Sequence, residues 1–387
     1  MLGIEAAERT ESMIPFNKAK RWGKELEYVL QAIGQGHISG DGTFTKLCHR
    51  LLEEVLGVPK VLLTTSCTHA LEMAALLLDV GPGDEVLVPS FTFVSTLNAF
   101  VLRGARPVFV DVRRDTLNMD ETLLEQRITP RTKAIVPVHY GGVGCEMDSI
   151  MAIAAENGIA VIEDNAHGLF GRYRGRYLGT FGQMATQSFH ETKNFTCGEG
   201  GALLINDLRY ADRAEVIREK GTNRAQFFQG MVDKYGWVDV GSSYLPSDML
   251  SAFLFAQLEA RAEVQAKRQH VWNYYNANLR EWAHANGVTL PAVPDHCEHT
   301  YHVFYLLLPT PERRQALIAH LKEREIHAVF HYLPLHLSKM GLRFGGKPGD
   351  CPVTEDVSGR LLRLPFFGDL SDDDLARIVA AVQAFQC

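Results

Sequence analysis

The amino-acid sequence predicts an α/β protein built on a large, mostly parallel seven-stranded sheet and followed by a small C-terminal α+β unit, and three observations lead there. Between Leu47 and Asn206 short β-branched runs alternate with amphipathic stretches, the rhythm of β-α-β units. Most amphipathic stretches end on glycine or on a turn such as Gly81-Pro82-Gly83. Beyond Pro291 the rhythm changes to strand, helix, strand and terminal helix. The 387 residues leave room for two domains, placed here at 1–255, including an N-terminal arm, and at 256–387.

The expected strands are the apolar runs 61–64, 85–88, 107–111, 134–139, 160–163, 184–189 and 202–205. Between them, helical patterns occupy 70–78, 94–102, 121–126 and 149–157. Tyr173-Arg174-Gly175-Arg176-Tyr177 breaks the rhythm and reads as a small hairpin. Residues 247–284 carry apolar side chains at helical spacing without a proline, and predict one long helix whose early turns bridge to the second domain. A strand at 301–308, a helix at 313–323, a strand at 328–332 and a helix at 373–385 complete the chain.

With 46% hydrophobic and 22% charged residues, the composition is that of a globular protein, which excludes a disordered or fibrous chain. The formal charge of -7 repels nucleic acid and anionic membranes, so neither is expected as a partner. No apolar run approaches the ~18 residues of a spanning helix. Residues 1–12 are acidic where a signal peptide is basic and then apolar, and a cytoplasmic location is expected. The seven cysteines are scattered, without a Cys-x-x-Cys pair or a histidine at ligand spacing, so reduced thiols and no metal are expected.

Three segments carry candidate chemistry. Leu63-Thr64-Thr65-Ser66-Cys67-Thr68-His69-Ala70 runs from a strand through hydroxyl residues into a helix, where free N–H groups suit a phosphate. Taken alone, the segment reads first as a simple N-cap at Ser66. Ala160-Val161-Ile162-Glu163-Asp164-Asn165-Ala166-His167 ends a strand in two acids and a histidine, and a carboxylate there either holds a proton on a ring nitrogen or caps a loop. Ser188-Phe189-His190-Glu191-Thr192-Lys193-Asn194 leaves a β-rich stretch and enters a glycine-rich turn; Lys193 can form a Schiff base there, although a single lysine is usually a solvated charge. The order of the three supplies what pyridoxal phosphate requires: a grip on phosphate, an acid on the pyridine nitrogen and a lysine on the aldehyde.

These segments, with Gly241-Ser242-Ser243-Tyr244-Leu245-Pro246-Ser247-Asp248, resemble the DegT/DnrJ/EryC1/StrS sugar aminotransferases from about Ile14 to the C-terminus. The resemblance implies the fold type I, aspartate-aminotransferase-like architecture and pyridoxal 5'-phosphate as cofactor. It implies Lys193 as the lysine joined to the aldehyde, Asp164 as the partner of the pyridine nitrogen, and Ser66, Cys67, Thr68, His69 and Ser188 around the phosphate. Phe93 would stack on the ring, and His167 stands where members carry Gln or His near the cofactor. Gly36-His37-Ile38-Ser39-Gly40 and His331-Tyr332-Leu333-Pro334-Leu335-His336 resemble substrate-side segments. Where many members present an asparagine to the neighbouring subunit's phosphate this chain does not, so Ser243 or Tyr244 is the expected substitute in a homodimer with shared sites.

Segments 188–194 and 241–248 are most similar to the branch that makes TDP-4-amino-4,6-dideoxygalactose. That implies transfer of an amino group from L-glutamate to C4 of a TDP-linked 4-keto-6-deoxysugar. A C3-specific aminotransferase and a cofactor-binding regulator without turnover are the alternatives. A sugar dehydratase of the same fold carries histidine where Lys193 stands.

Overall fold

The computed structural model describes residues 13–228 and 230–386. In chain order the strands of the first part are β1 (Lys60–Thr64), β2 (Glu85–Pro89), β3 (Arg106–Val110), β4 (Thr132–Ile135), β5 (Ala160–Asp164), β6 (Arg172–Tyr173), β7 (Arg176–Tyr177), β8 (Met184–Ser188) and β9 (Gly201–Ile205). Seven of them form one sheet in the order β1-β9-β8-β5-β4-β2-β3. Only β9 opposes the others, pairing antiparallel with β1 and β8. Continuous burial of both faces is why these strands read as unbroken apolar runs rather than as alternating ones. The ladder of β4 stops at Ile135, short of the expected 139, because Pro137 cannot donate to it.

Helices Cys67–Leu77, Ser95–Val101 and Met147–Glu156 cover the sheet as expected. Residues 121–126 do not form an α-helix. They make two tight turns, Glu121–Leu123 and Glu125–Arg127, before Thr129-Pro130 turns the chain into β4. The hairpin is present as β6 and β7, and the short strand β10 (Cys297–Glu298) adds to its edge.

The expected long helix is two helices, Asp248–Glu259 and Arg261–Ala285, broken at Ala260. The break follows a change of partner. Leu254, Leu258 and Val264 pack under β1 and β9, whereas Val271, Tyr275 and Leu279 belong to a second core with Leu317, Leu321, Leu375 and Ile378. Ile14 inserts into this second core and bonds to Glu325 O through its N–H, so the N-terminal arm crosses to it.

The second sheet differs from expectation. β11 (Tyr305–Leu307) pairs with β12 (Leu361–Arg363), while 328–332 forms only a single bridge, Val329 to Arg363. The expected strand start at Tyr301 fails because that residue has φ of 53°, outside any strand. Phe91, Val112 and Tyr140 of the sheet end meet Val303, Tyr305 and Leu361, and the cavity opens along this seam. Among the described residues no helix is long and apolar enough to cross a membrane.

Candidate active site

A cavity of about 1000 Å³ lies at the carboxyl ends of the parallel strands, the edge where open α/β sheets bind ligands. Its wall includes Ser66, Cys67, Thr68, Phe93, Asp164, His167, Ser188 and Lys193. Strand and helix ends bring these together: β1 delivers Ser66 to the start of helix Cys67–Leu77, β5 ends on Asp164, and β8 ends on Ser188, five residues before Lys193.

Ser66 is the N-cap, its hydroxyl accepting from His69 N at 3.1 Å. The N–H groups of Cys67 and Thr68 meet no acceptor among the described residues, so the positive end of an 11-residue helix faces the cavity. Ser66 is therefore a cap, and the same turn leaves two N–H groups open to the cavity. Gly201 lies directly behind the turn, and a Cβ there would fall 2.5 Å from the Ser66 carbonyl oxygen. Thr68 Oγ1 donates to Ser95 Oγ at 2.8 Å, tying the cradle to the helix that follows Phe93. Burial pushes the Cys67 thiol far up, and Asp164 adds to it, so Cys67 is a neutral wall.

Asp164 is buried, with Oδ2 accepting from Thr96 Oγ1 at 2.7 Å and Oδ1 from Ala166 N at 3.2 Å. Its neighbour Glu163 points to the other face and anchors the 179–182 turn and His139. Lys193 is half-buried, and no hydrogen bond or ion pair among the described residues holds its Nζ. Burial lowers its pKa; Cys67 and Asp164 pull it part of the way back, and Arg363 lowers it. A lowered amine pKa enlarges the share of the neutral, nucleophilic form.

Phe93 is 57% exposed and stands in the cavity wall 6.5 Å from the ring of Tyr332. His167 stacks on His302 with centroids 4.1 Å apart, accepts from Gly141 N and meets the Tyr332 hydroxyl. Burial pushes His167 well below the ordinary imidazole value, and Lys193 and Arg363 push it the same way, so it is neutral.

Three expected residues do not line this cavity. The N–H of His69 is taken by Ser66, its Nδ1 by Thr65 and its ring by Tyr244, which turns it away from the cradle. Tyr244 is buried in its own chain, with its hydroxyl on Glu72 at 3.3 Å, which commits it away from a neighbour's site. Ser243 is exposed and remains the candidate for a cross-subunit contact. Residues missed by the sequence reading are Thr96, Asn194, His302 and Arg363. Arg363 had a signal: it is the one charge in Leu361-Leu362-Arg363-Leu364-Pro365-Phe366, and its guanidinium is held by Phe330 O at 3.0 Å over the Phe16 ring. Thr92 and Thr96 had another, as hydroxyls at helical spacing.

The cavity fits pyridoxal phosphate: a cradle of unpaired N–H groups, a buried carboxylate and an unpaired amine converge in one space. Comparison with known proteins agrees. Residues 21–383 match the DegT/DnrJ/EryC1/StrS aminotransferase family. The spore coat polysaccharide biosynthesis protein SpsC of Bacillus subtilis is 31% identical over 97% of this chain and 98% of its own length. The aminotransferase TlmJ of Streptoalloteichus hindustanus superposes with a TM-score of 0.88 at 30% identity, covering 96% of this chain and 98% of that one. Spr1654 of Streptococcus pneumoniae, in its PLP form, superposes with a TM-score of 0.88 at 26% identity over 96% and 98% of the two chains. The chain belongs to the DegT/DnrJ/EryC1/StrS aminotransferase family and has its fold type I architecture.

Proposed function

We propose that this sugar aminotransferase moves an amino group from L-glutamate to C4 of a TDP-linked 4-keto-6-deoxyhexose, with pyridoxal phosphate as cofactor. The observation that carries the aminotransferase reading is the convergence of Lys193, Asp164 and the helix start at Cys67 on one cavity. When bound, pyridoxal phosphate supplies a carbonyl carbon for the amine and a ring that takes up electrons from the α-carbon.

The residues divide the remaining work. The Cys67 and Thr68 N–H groups would bind the phosphate dianion without reorganisation, and the Ser188 hydroxyl at the end of β8 would add a donor. Asp164 holds the proton on the ring nitrogen, with Thr96 and Ala166 N fixing the carboxylate. Phe93, in the cavity wall, would cover a face of the ring. Lys193, whose pKa burial lowers, is the amine that would join the cofactor's carbonyl carbon, and when released it would carry the proton from the donor's α-carbon. In the second half of the cycle it returns a proton to the sugar carbon. Phe16, Val94, Phe330 and Leu333 give the cavity an apolar wall.

The C4 and TDP assignments rest on the resemblance of segments 188–194 and 241–248 to the C4-aminating branch. A homodimer with shared sites and a cytoplasmic location complete the reading, with the exposed Ser243 reaching the neighbouring subunit's phosphate. The test is incubation with glutamate and either TDP-4-keto-6-deoxyglucose or its 3-keto isomer, followed by NMR of the products. Nitrogen on C4 and slow amination of the 3-keto isomer are expected. Faster amination of the 3-keto sugar would overturn the regiochemistry, and amination of neither would overturn the substrate class.

A further inference from the structure

Among the described residues Lys193 Nζ has no hydrogen-bonding partner, but the residue after it is gripped on both ends. Asn194 Nδ2 donates to Thr300 O at 2.8 Å, and Asn194 Oδ1 lies 2.8 Å from His302 Nδ1. A carbonyl oxygen only accepts, so the amide nitrogen must face Thr300, the amide oxygen must face His302, and the imidazole proton must sit on Nδ1. One tautomer and one amide orientation satisfy the arrangement.

The gripping segment is itself held from three sides. Thr300 Oγ1 donates to His167 O at 2.6 Å, and Thr300 N donates to Gly142 O at 3.3 Å. A Cβ on Gly142 would fall on the Thr300 hydroxyl and 2.9 Å from the His167 carbonyl oxygen, so the two chains approach as closely as glycine allows. Arg268, buried in the second core, donates from Nε to Tyr301 O at 2.9 Å and from Nη2 to His302 O at 2.6 Å. Between the two gripping residues, Tyr301 has φ of 53°, a strained conformation for a non-glycine residue. Such strain persists only where neighbours over-determine the backbone, and here bonds lead to Asn194, His167, Gly142 and Arg268 and, at the Tyr301 hydroxyl, to Gln269.

We propose that Thr300-Tyr301-His302 is a positioning clamp for Lys193: by fixing the Asn194 amide, it sets the direction from which the lysine amine meets the cofactor carbonyl. His302 and Asn194 are positioning residues that act through Lys193. Burial and the nearby Lys193 keep His302 uncharged, so its Nδ1–H stays a neutral donor across the working pH range. The segment also links the second core, through Arg268, to the lysine, so a shift of that core against the sheet moves the amine with it.

This inference rests on Lys193 being the cofactor lysine, and the test separates the two. Apo protein is mixed with pyridoxal phosphate, and growth of the visible band of the lysine-bound cofactor is followed, together with the pH at which the band bleaches. His302→Ala and Asn194→Ala should each slow band growth about tenfold, since a misplacement of an ångström costs up to about a hundredfold. Both should shift the bleaching pH. His302→Asn, whose amide nitrogen takes the place of Nδ1–H, should restore the rate. The double alanine variant should be no slower than Asn194→Ala alone, because that variant already lacks the bond to His302. Wild-type band growth in either alanine variant, an additive double variant, no rescue by His302→Asn, or lowered melting temperature with unchanged band growth would each overturn the clamp. A wild-type protein that forms no band would instead overturn the functional reading, and the clamp with it.

Discussion

Replacing Thr96 with valine removes one hydroxyl, keeps the shape of the side chain and so isolates what holds the Asp164 carboxylate. Thr96 Oγ1 lies 2.7 Å from Asp164 Oδ2 and 2.9 Å from Thr92 Oγ1, and the residue is fully enclosed. Its own proton goes to the carboxylate, so its oxygen accepts from Thr92. Valine therefore leaves a charged acceptor short of one donor and the Thr92 hydroxyl short of its acceptor. A hydrogen bond to a charged group contributes about 1.5–3 kcal/mol. Because Oδ1 keeps the Ala166 amide, the lower figure applies, and about 1.5 kcal/mol corresponds to roughly tenfold in rate. Turnover measured by 2-oxoglutarate release should fall about tenfold at saturating sugar, with the sugar KM unchanged. Thr96→Ser, which keeps the hydroxyl, should stay near wild type. If Thr96→Val loses stability but keeps wild-type turnover, the hydroxyl chain is a packing feature and the reasoning about the carboxylate is wrong.

Lys193→Ala should lose the visible band of the lysine-bound cofactor and all turnover while still binding pyridoxamine phosphate; normal turnover would refute its assignment. Gly201→Ala should press on the Ser66-Cys67 backbone, weaken cofactor binding about tenfold or more and lower the melting temperature, and unchanged binding by fluorescence titration would contradict the cradle. His167, His302 and His331 are buried, and burial pushes each well below the ordinary imidazole value. The unfolded chain takes up their protons near pH ~6.5 and the folded chain does not, so stability is fully present above that pH and falls below it. The loss is on the order of 1 kcal/mol per imidazole per pH unit. Melting scans between about pH 7.5 and about pH 5.5 should show the decline, and a flat profile would mean that these rings are charged in the fold.

The sheet was legible because each central strand is enclosed on both faces, which writes it as an uninterrupted apolar run. Asp164 and Lys193 were legible for a related reason: polar residues that follow such a run emerge at the carboxyl edge of the sheet. The 328–332 segment misled because Val329, Phe330 and Tyr332 have strand-forming side chains, yet they line a cavity and only Val329 pairs, in a single bridge to Arg363. The break at Ala260 left no mark, since helical periodicity continues through it and only the identity of the packing partner changes. Tyr244 drew attention by its place in a segment, but its environment is set by Glu72 and His69, distant in sequence. The grip of Thr300 and His302 on Asn194 spans more than a hundred residues and has no local pattern to betray it.

The central claim is that Lys193 carries the cofactor at the place where the helix start and the Asp164 carboxylate converge. Borohydride reduction of the purified holoenzyme, followed by proteolysis and mass mapping, tests it directly. The account predicts a single phosphopyridoxyl group on the Lys193 peptide and none on Lys193→Ala, whereas a label on another lysine, or an unlabelled but active enzyme, would contradict it.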